Sequence, residues 1–476
     1  MKILLVNPPS PGIYNSVGLK LPPLGLGYLA SVLQKNRHQV KILDLQVEKK
    51  SSLEQELANC DLVGITCESN KIFKALDIAT IAKQRGCITV MGGYHATFRD
   101  KEILSLGIVD YIVKGEGEYT FTHLVQNLED KKNIHNLPGI SYRKDNVIFE
   151  ASIPQPPDNL DDIPFPSRDL LPLGKYWMTQ IEGEPLMNIV TSRGCPFACS
   201  FCASSNFAGT RWRTRSIENI MAELEQLYYD YGYRGFAFMD DNFTLKPERV
   251  ELMAEKIQKN QMNIKWWCFS RVDTIMNNVS IIKKMASAGL KMVFLGLESA
   301  DPQSLKDYGK KITTEISEKA IKVLHSNGIK VLGSFILGNI HDTQETITKT
   351  IEYAKKLNID IAQFSVLTPF PGTKFFQNMM KENRIFTWDW KLFDGAHSVI
   401  TGDYLKPREI QKMILSAYID FYRQGKQISN VWGFIRKFVN THVPFINTYK
   451  ESYYQRRRTP LLTKKQSTVQ QQRTFS

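Results

Sequence analysis

The sequence predicts an α/β protein made of two parallel-sheet units in tandem, followed by a mainly helical C-terminal extension. Three observations predict it. Short apolar runs alternate with amphipathic helical patterns over residues 1–135, the alternation resumes over 185–375, and a proline-rich stretch at 153–172 (IPQPPDNLDDIPFPSRDLLP), within a connector over 136–184, separates the two. The 476 residues exceed one small domain, since domains ordinarily hold roughly 100–200 residues. A content of 42% hydrophobic and 11% aromatic residues excludes the disordered and collagen-like classes. Seven cysteines in this length exclude a disulfide-stapled secreted scaffold. No apolar stretch of ~18 residues opens the chain, so a reducing cytoplasm is the expected compartment.

In the first unit the apolar runs lie at 2–6, 40–43, 62–66, 88–91 and 109–113, with helical patterns between them at 24–35 and 72–85. Strands and helices in this order form βαβ units and a doubly wound parallel sheet. Ligands of such sheets bind beyond the carboxyl ends of the strands. There the chain places Ser69 and Asn70, then Gly92-Gly93-Tyr94-His95, then Gly115-Glu116-Gly117-Glu118. Glycine lets a bulky ligand approach the backbone. The plain alternative is tight βα turns, because no G-x-G-x-x-G nucleotide fingerprint accompanies them.

The segments NPP (7–9), LPPLGLGYLASVL (21–33), GGYHATF (92–98) and DYIVKGEGEYTF (110–121) resemble the N-terminal cobalamin-binding domain of B12-dependent radical SAM proteins. The resemblance implies a Rossmann-like cobalamin-binding domain over 1–135, with Ser69, Asn70, Gly92, Gly93, Tyr94, Gly115 and Glu116 as cobalamin contacts. The D-x-H-x-x-G segment whose histidine ligates cobalt in many B12 enzymes is absent, Asp44 being followed by Leu45-Gln46. Cobalamin held without a protein histidine ligand is therefore what the resemblance implies.

The second unit opens with TSRGCPFACSFC (191–202). Cys195, Cys199 and Cys202, spaced C-x3-C-x2-C, can wrap a metal site on one loop, and their soft thiolates suit iron–sulfur or zinc. Structural zinc needs a fourth protein ligand. Cys60, Cys67, Cys87 and Cys268 are scattered without ligand spacing, several of them in apolar strand contexts where free cysteine packs. Three ligands leave one iron of a [4Fe–4S] cluster open to chelate S-adenosylmethionine (SAM), whose reductive cleavage gives a 5′-deoxyadenosyl radical. With Phe201 directly before the third cysteine, the segment is similar to the radical SAM signature. That resemblance makes the three cysteines the cluster ligands and catalytic centre, and sets Phe201 beside adenine, with loop packing as the alternative.

Helical stretches at 216–229, 247–259, 279–288, 315–327 and 343–357 then alternate with apolar runs at 235–239, 264–269, 292–297, 331–337 and 363–367, which predicts a partial or full (β/α) barrel over 185–375. Residues ending barrel strands point into the mouth. This singles out Asp240-Asp241-Asn242, Arg271, Asp273, Glu298 and Gly338, with Asp241 and Arg271 as catalytic candidates. A capped turn is the alternative for Asp240–Asn242. In the resembled family the segment GLES (296–299) supplies a carboxylate near the SAM ribose and amino group, a role that falls to Glu298, with a surface turn as the alternative. GSFILGNIHDTQET (333–346) resembles the segment beside adenine, which includes Gly338. Asn339, Ile340 and His341 stand where the usual proline region begins, and Thr343, Glu345 and Thr346 read as a helix start. Arg271 and Gln363 are candidate polar contacts to SAM or substrate. LTPFPGT (367–373) is also characteristic of the class.

Beyond residue 375 the pattern predicts a helical cap over 376–455, including an amphipathic helix at 407–424, and a basic disordered tail over 456–476. His397 reads as a structural histidine, with a substrate contact as the alternative. Of the net charge of +13, +8 belongs to residues 431–476 and +5 to the rest, so the charge bears on surface association and hardly on the reaction. The aromatic and basic residues of 431–458 read as packing on the barrel with a solvated basic end, with a peripheral contact with an anionic membrane as the alternative. Nucleic acid is not expected. The radical SAM methylthiotransferases of tRNA carry three further cluster cysteines in the N-terminal domain, whereas Cys60, Cys67 and Cys87 fall at or near strand positions.

The resemblance as a whole implies a cobalamin-dependent radical SAM enzyme with a [4Fe–4S] cluster, SAM and cobalamin as cofactors. Its most direct activity is C-methylation of an unactivated carbon by a 5′-deoxyadenosyl radical and methylcobalamin. The alternative is oxidative cyclisation or ring rearrangement of a tetrapyrrole, lipid or natural product without net methyl transfer. The partners implied are a small-molecule, lipid or peptide substrate and an electron donor such as flavodoxin or ferredoxin.

Overall fold

A computed structural model describes residues 1–10, 20–135, 137–176 and 179–423. In the first unit β1 (Lys2–Asn7), β2 (Gln39–Asp44), β3 (Leu62–Thr66), β4 (Ile88–Gly92) and β5 (Tyr111–Val113) pair in parallel, in the order β2-β1-β3-β4-β5. Ile3 to Val6 are all buried, as strands covered on both faces require. Helices Leu24–Lys35 and Glu118–Glu129 cover one face through Leu26, Ala30, Leu33, Phe121 and Leu124. Helices Ser51–Leu57, Ile72–Gln84 and Asp100–Ser105 cover the other.

The segment expected as a connector begins as sheet. β6 (Ile140–Lys144) lies antiparallel to β5, and β7 (Val147–Phe149) antiparallel to β6, so the first sheet has seven strands and continues past residue 135. Asp145 and Asn146 both take positive φ, 48° and 65°, as a two-residue hairpin turn requires. The strands are short and half exposed, which leaves little apolar signal in the sequence.

The second sheet runs, edge to edge, through β16 (Ile361–Val366), β15 (Lys330–Leu337), β14 (Leu290–Glu298), β13 (Lys265–Ser270), β12 (Gly235–Phe238), β9 (Glu184–Ile189) and β8 (Gln180–Ile181). The six strands from β16 to β9 are parallel. β8 pairs antiparallel with β9. β9 and β16 stand near opposite ends of the order and do not pair, so the barrel is partial. Alternation along β13 sends Trp266 and Cys268 into the core beneath the helices and turns Trp267 and Phe269 to the inner face. β10 (Ser192–Arg193) and β11 (Arg213–Thr214) form a separate ribbon that frames the cysteine loop.

An open barrel leaves β16 with an unpaired edge, and helix Pro407–Tyr422 covers it. The Tyr418 hydroxyl donates to the Phe364 carbonyl at 2.9 Å and accepts from the Phe364 N–H at 3.1 Å. Tyr422 does the same for Ala362, at 2.9 and 3.2 Å. Two tyrosines thus satisfy backbone groups that a further strand would have paired. The rest of the expected cap, 424–455, and the basic tail lie outside the described residues. Among the described residues no helix is long and apolar enough to cross a membrane.

The two units share a core. Tyr308, Leu367, Phe375, Trp390 and Phe393 from the second pack with Ile72, Leu76 and Ala96, which belong to one helix-covered face of the first sheet. The carboxyl ends of the first sheet thereby face the mouth of the partial barrel.

Candidate functional site

The cysteine loop leaves β10 through Gly194, whose φ is +81° and where a Cβ would come within 2.4 Å of the Arg211 carbonyl. Only glycine fits that entry. The Cys195 N–H donates to Gly209 O at 3.2 Å, and the Cys202 N–H to Cys199 O at 3.1 Å. Cys195 is buried, while Cys199 and Cys202 are half-buried. Asp240 anchors the approach to the loop: it accepts from the Thr191 N–H at 2.7 Å and from the Ser192 hydroxyl at 2.5 Å, and Arg249 donates to it at 3.3 Å. Of Asp240-Asp241-Asn242, then, the first is a buried support and Asn242 is also buried, while Asp241 stands exposed.

Among the described residues no three His, Cys, Asp or Glu side chains converge on one point as the ligands of a single ion do. The thiolates of a [4Fe–4S] cluster each take a different iron and stand apart. The donor set fits that group: three thiols on one loop, each close enough to the others to act on them electrostatically, with no fourth protein ligand among the described residues. Burial pushes the Cys195 thiol up to about 11, so metal binding there displaces a proton.

Glu298 reaches the mouth because β14 bulges between Gly296 and Glu298, which gives Glu298 a φ of 64°. Bulges beside functional sites re-aim side chains in this way. Its carboxylate is buried and pairs with Lys310 Nζ at 2.7 Å. Nothing in the local pattern of the sequence marks Lys310; the segment after β14, with its short helix Pro302–Asp307, folds it back. Gly309 on that segment lies against Cys199, where a Cβ would sit 3.9 Å from the Cys199 Cα. Phe201 packs edge-on against Tyr308, with centroids 5.3 Å apart. The Gly338 N–H donates to Asp342 at 2.8 Å, as does the Asn339 N–H, so Asp342 shapes the strand end where the proline region was expected. Thr343 does start a helix, accepting from the Thr346 N–H at 3.2 Å. Gln363 lies lower, on the inner face of β16, donating to Ser365 at 3.4 Å. His397 is buried against Asp394 at 3.0 Å, as a structural histidine.

A cavity of about 280 Å³ opens at the carboxyl ends of β3, β4 and β5. Leu5, Leu26, Leu29, Val90, Val113 and Phe121 give it apolar walls, and Gly25, Gly64, Gly92, Gly93, Gly115 and Gly117 line it as well. A Cβ on Gly25 would meet nothing within 4 Å. Arg193, Phe207 and Ala208 close it from the second unit. Bare backbone and apolar walls of this kind suit the flat heterocyclic part of a larger ligand such as cobalamin, the rest of which would lie outside the cavity of about 280 Å³, and no histidine is among the lining residues described.

The expected cobalamin contacts divide accordingly. Gly92, Gly93, Gly115 and Glu116 line the cavity. Ser69 is turned inward, its hydroxyl 3.0 Å from His95 Nδ1, and Asn70 donates to Ser10 at 3.2 Å. The Tyr94 hydroxyl donates to the Pro371 carbonyl, and Gly372, at φ +85°, lies against the Phe98 ring. The GGYHATF and LTPFPGT segments therefore dock on one another. Glu116 is also an ion-pair partner, engaged by Arg193 at 2.8 Å and by Arg213.

Residues 189–368 match the Radical SAM superfamily and residues 11–125 the B12 binding domain. The chain is 39% identical over 437 residues to an uncharacterized methyltransferase of Pyrococcus horikoshii, spanning 90% of this chain and 93% of the relative. It is 30% identical to the hopanoid C-3 methylase of Methylococcus capsulatus, over 84% of this chain and 76% of the relative. To the anaerobic magnesium-protoporphyrin IX monomethyl ester cyclase of Rubrivivax gelatinosus it is 28% identical, over 89% and 77%. In fold it is similar to the cobalamin-dependent SAM radical enzyme OxsB, with a TM-score of 0.73 at 17% identity over 93% of this chain and 75% of that one. Cysteine loop, glycine-lined cavity and domain order agree with these likenesses, and the chain belongs to the radical SAM enzymes with an N-terminal B12-binding domain, whose cofactors are a [4Fe–4S] cluster, SAM and cobalamin.

Proposed function

We propose that this enzyme is a C-methyltransferase that acts on an unactivated carbon of an apolar substrate. The observation that carries the substrate class is the inner face of the partial barrel. Met239, Phe269, Met292 and Phe294 are half-buried there beside Trp267. Phe269 bridges the strands, its centroid 5.0 Å from that of Trp267 and 4.8 Å from that of Phe294. Such a surface binds hydrocarbon or a flat ring by displacing water. When bound, SAM on the cluster and the corrinoid supply radical and methyl-transfer chemistry, which carbon without a lone pair requires.

The chain's own residues arrange the site. Cys195, Cys199 and Cys202 hold the cluster, and Glu298, braced by Lys310, presents a carboxylate at the mouth. The glycine-lined cavity receives the corrinoid, and the apolar inner face orients the substrate and keeps water out. A low-potential donor such as flavodoxin or ferredoxin supplies the electron. The names of two relatives support an apolar polycycle: one is a hopanoid methylase and another a bacteriochlorophyllide d C-8(2)-methyltransferase. Cyclisation without methyl transfer is the second reading, favoured by the likeness to the magnesium-protoporphyrin cyclase.

The test is anaerobic incubation of the reconstituted enzyme with methyl-labelled SAM and, separately, a hopanoid and magnesium-protoporphyrin monomethyl ester. A product heavier by one CH2 group that carries the label supports methylation. An unlabelled product that has lost hydrogen supports the second reading and overturns the first.

A further inference from the structure

Arg271, at the end of β13, is fixed on three sides. Asp273 grips it with both oxygens, Nε to Oδ1 at 2.9 Å and Nη2 to Oδ2 at 2.7 Å. Its guanidinium carbon lies 3.7 Å from the centroid of Phe197, a residue of the cysteine loop itself. The remaining nitrogen, Nη1, donates to Cys199 Sγ at 3.7 Å, within the range of an N–H···S bond. The side chain is 9% exposed, so solvent screens this arrangement little. A guanidinium offers the plane that stacks on Phe197, two donors for Asp273 and one left for the sulfur; an ammonium could not meet all three at once.

Hydrogen bonds to ligand sulfur and the net charge nearby set the reduction potential of an iron–sulfur site. A cation donating to the Cys199 sulfur favours the more negative, reduced state. We propose that Arg271 sets the potential of the cluster held by Cys195, Cys199 and Cys202, with Asp273 and Phe197 as the residues that fix its aim. Arg271 is thus a positioning and tuning residue. One electron enters from a low-potential one-electron donor, Arg271 stays protonated throughout, and no bond of the protein is made or broken. The proposal needs no assumption about substrate or product and stands apart from the methylation reading.

The test is an EPR-monitored redox titration with dithionite on the anaerobically reconstituted full chain, without SAM or substrate. In Arg271→Met the equilibrium constant for reduction is expected to fall about tenfold, a downward shift of about 59 mV for a one-electron couple. Arg271→Lys keeps the charge and loses the stacked plane, so a smaller shift in the same direction is expected. An unchanged midpoint in Arg271→Met with its iron retained overturns the proposal. Should Arg271→Met fail to hold iron, Arg271→Lys decides alone: a lower midpoint supports tuning and an unchanged one overturns it. Loss of iron from both variants overturns it as well, by making Arg271 a support of the loop only.

Discussion

Glu116 Oε2 accepts from Arg193 Nη1 at 2.8 Å, and this contact ties the loop after β5 to the strand that enters the cysteine loop. Arg193 also reaches Glu118 at 2.7 Å and lies over the Tyr28 ring at 5.1 Å. Glu116 lines the glycine cavity, and Arg193 stands two residues before Cys195. The spacing between the corrinoid cavity and the cluster loop is therefore held by buried charge, which has direction as well as strength.

Glu116→Gln leaves the Arg193 and Arg213 guanidiniums short of a buried carboxylate. Removing one partner of such a group costs about 3–5 kcal/mol. Urea denaturation should show that loss, and iron retained after reconstitution should fall with it. A variant with wild-type stability would show that the pairs are dispensable.

Gly194→Ala forces a Cβ against the Arg211 carbonyl at a backbone conformation that alanine resists. The loop must shift, so iron bound per chain should drop severalfold after reconstitution while far-UV circular dichroism stays close to wild type. Full iron loading would contradict this account of the loop.

Tyr418→Phe strips the Phe364 N–H and carbonyl of their partner at the edge of β16. Unsatisfied buried polar groups cost about 1–3 kcal/mol. The same loss is expected for Tyr422→Phe, and in the double variant the two losses should add while the helix still covers the strand. Thermal denaturation of the single and double variants checks both points.

His95 is buried between Ser69 and Trp390, its ring 4.7 Å from that of Trp390. Burial, and then the charge of Arg99, pull it from the ordinary 6.5 down to about 3. Because the folded value lies below the unfolded one, its contribution to stability is complete above pH 6.5 and is lost as the pH falls toward 3. The slope is about 1.4 kcal/mol per pH unit. His95→Gln should flatten the stability profile over that window, and an unchanged slope would assign the acid sensitivity elsewhere.

Period, spacing and backbone freedom are local properties, so the two α/β units, their order, the three cluster cysteines and the glycines at the strand ends are all legible in the amino-acid sequence. Glu298 was legible through a motif, but its left-handed φ and its bond to Lys310 were not, since both depend on a bulge between paired strands and on a loop folding back. Long-range packing made the barrel partial, with Tyr418 and Tyr422 covering its edge. It alone turned Ser69 and Tyr94 away from the cavity, to His95 and to Pro371. It also joined Glu116 to Arg193, 77 positions apart. Contacts of that kind arise where two units meet, and no period in either segment records which charges the other will bring.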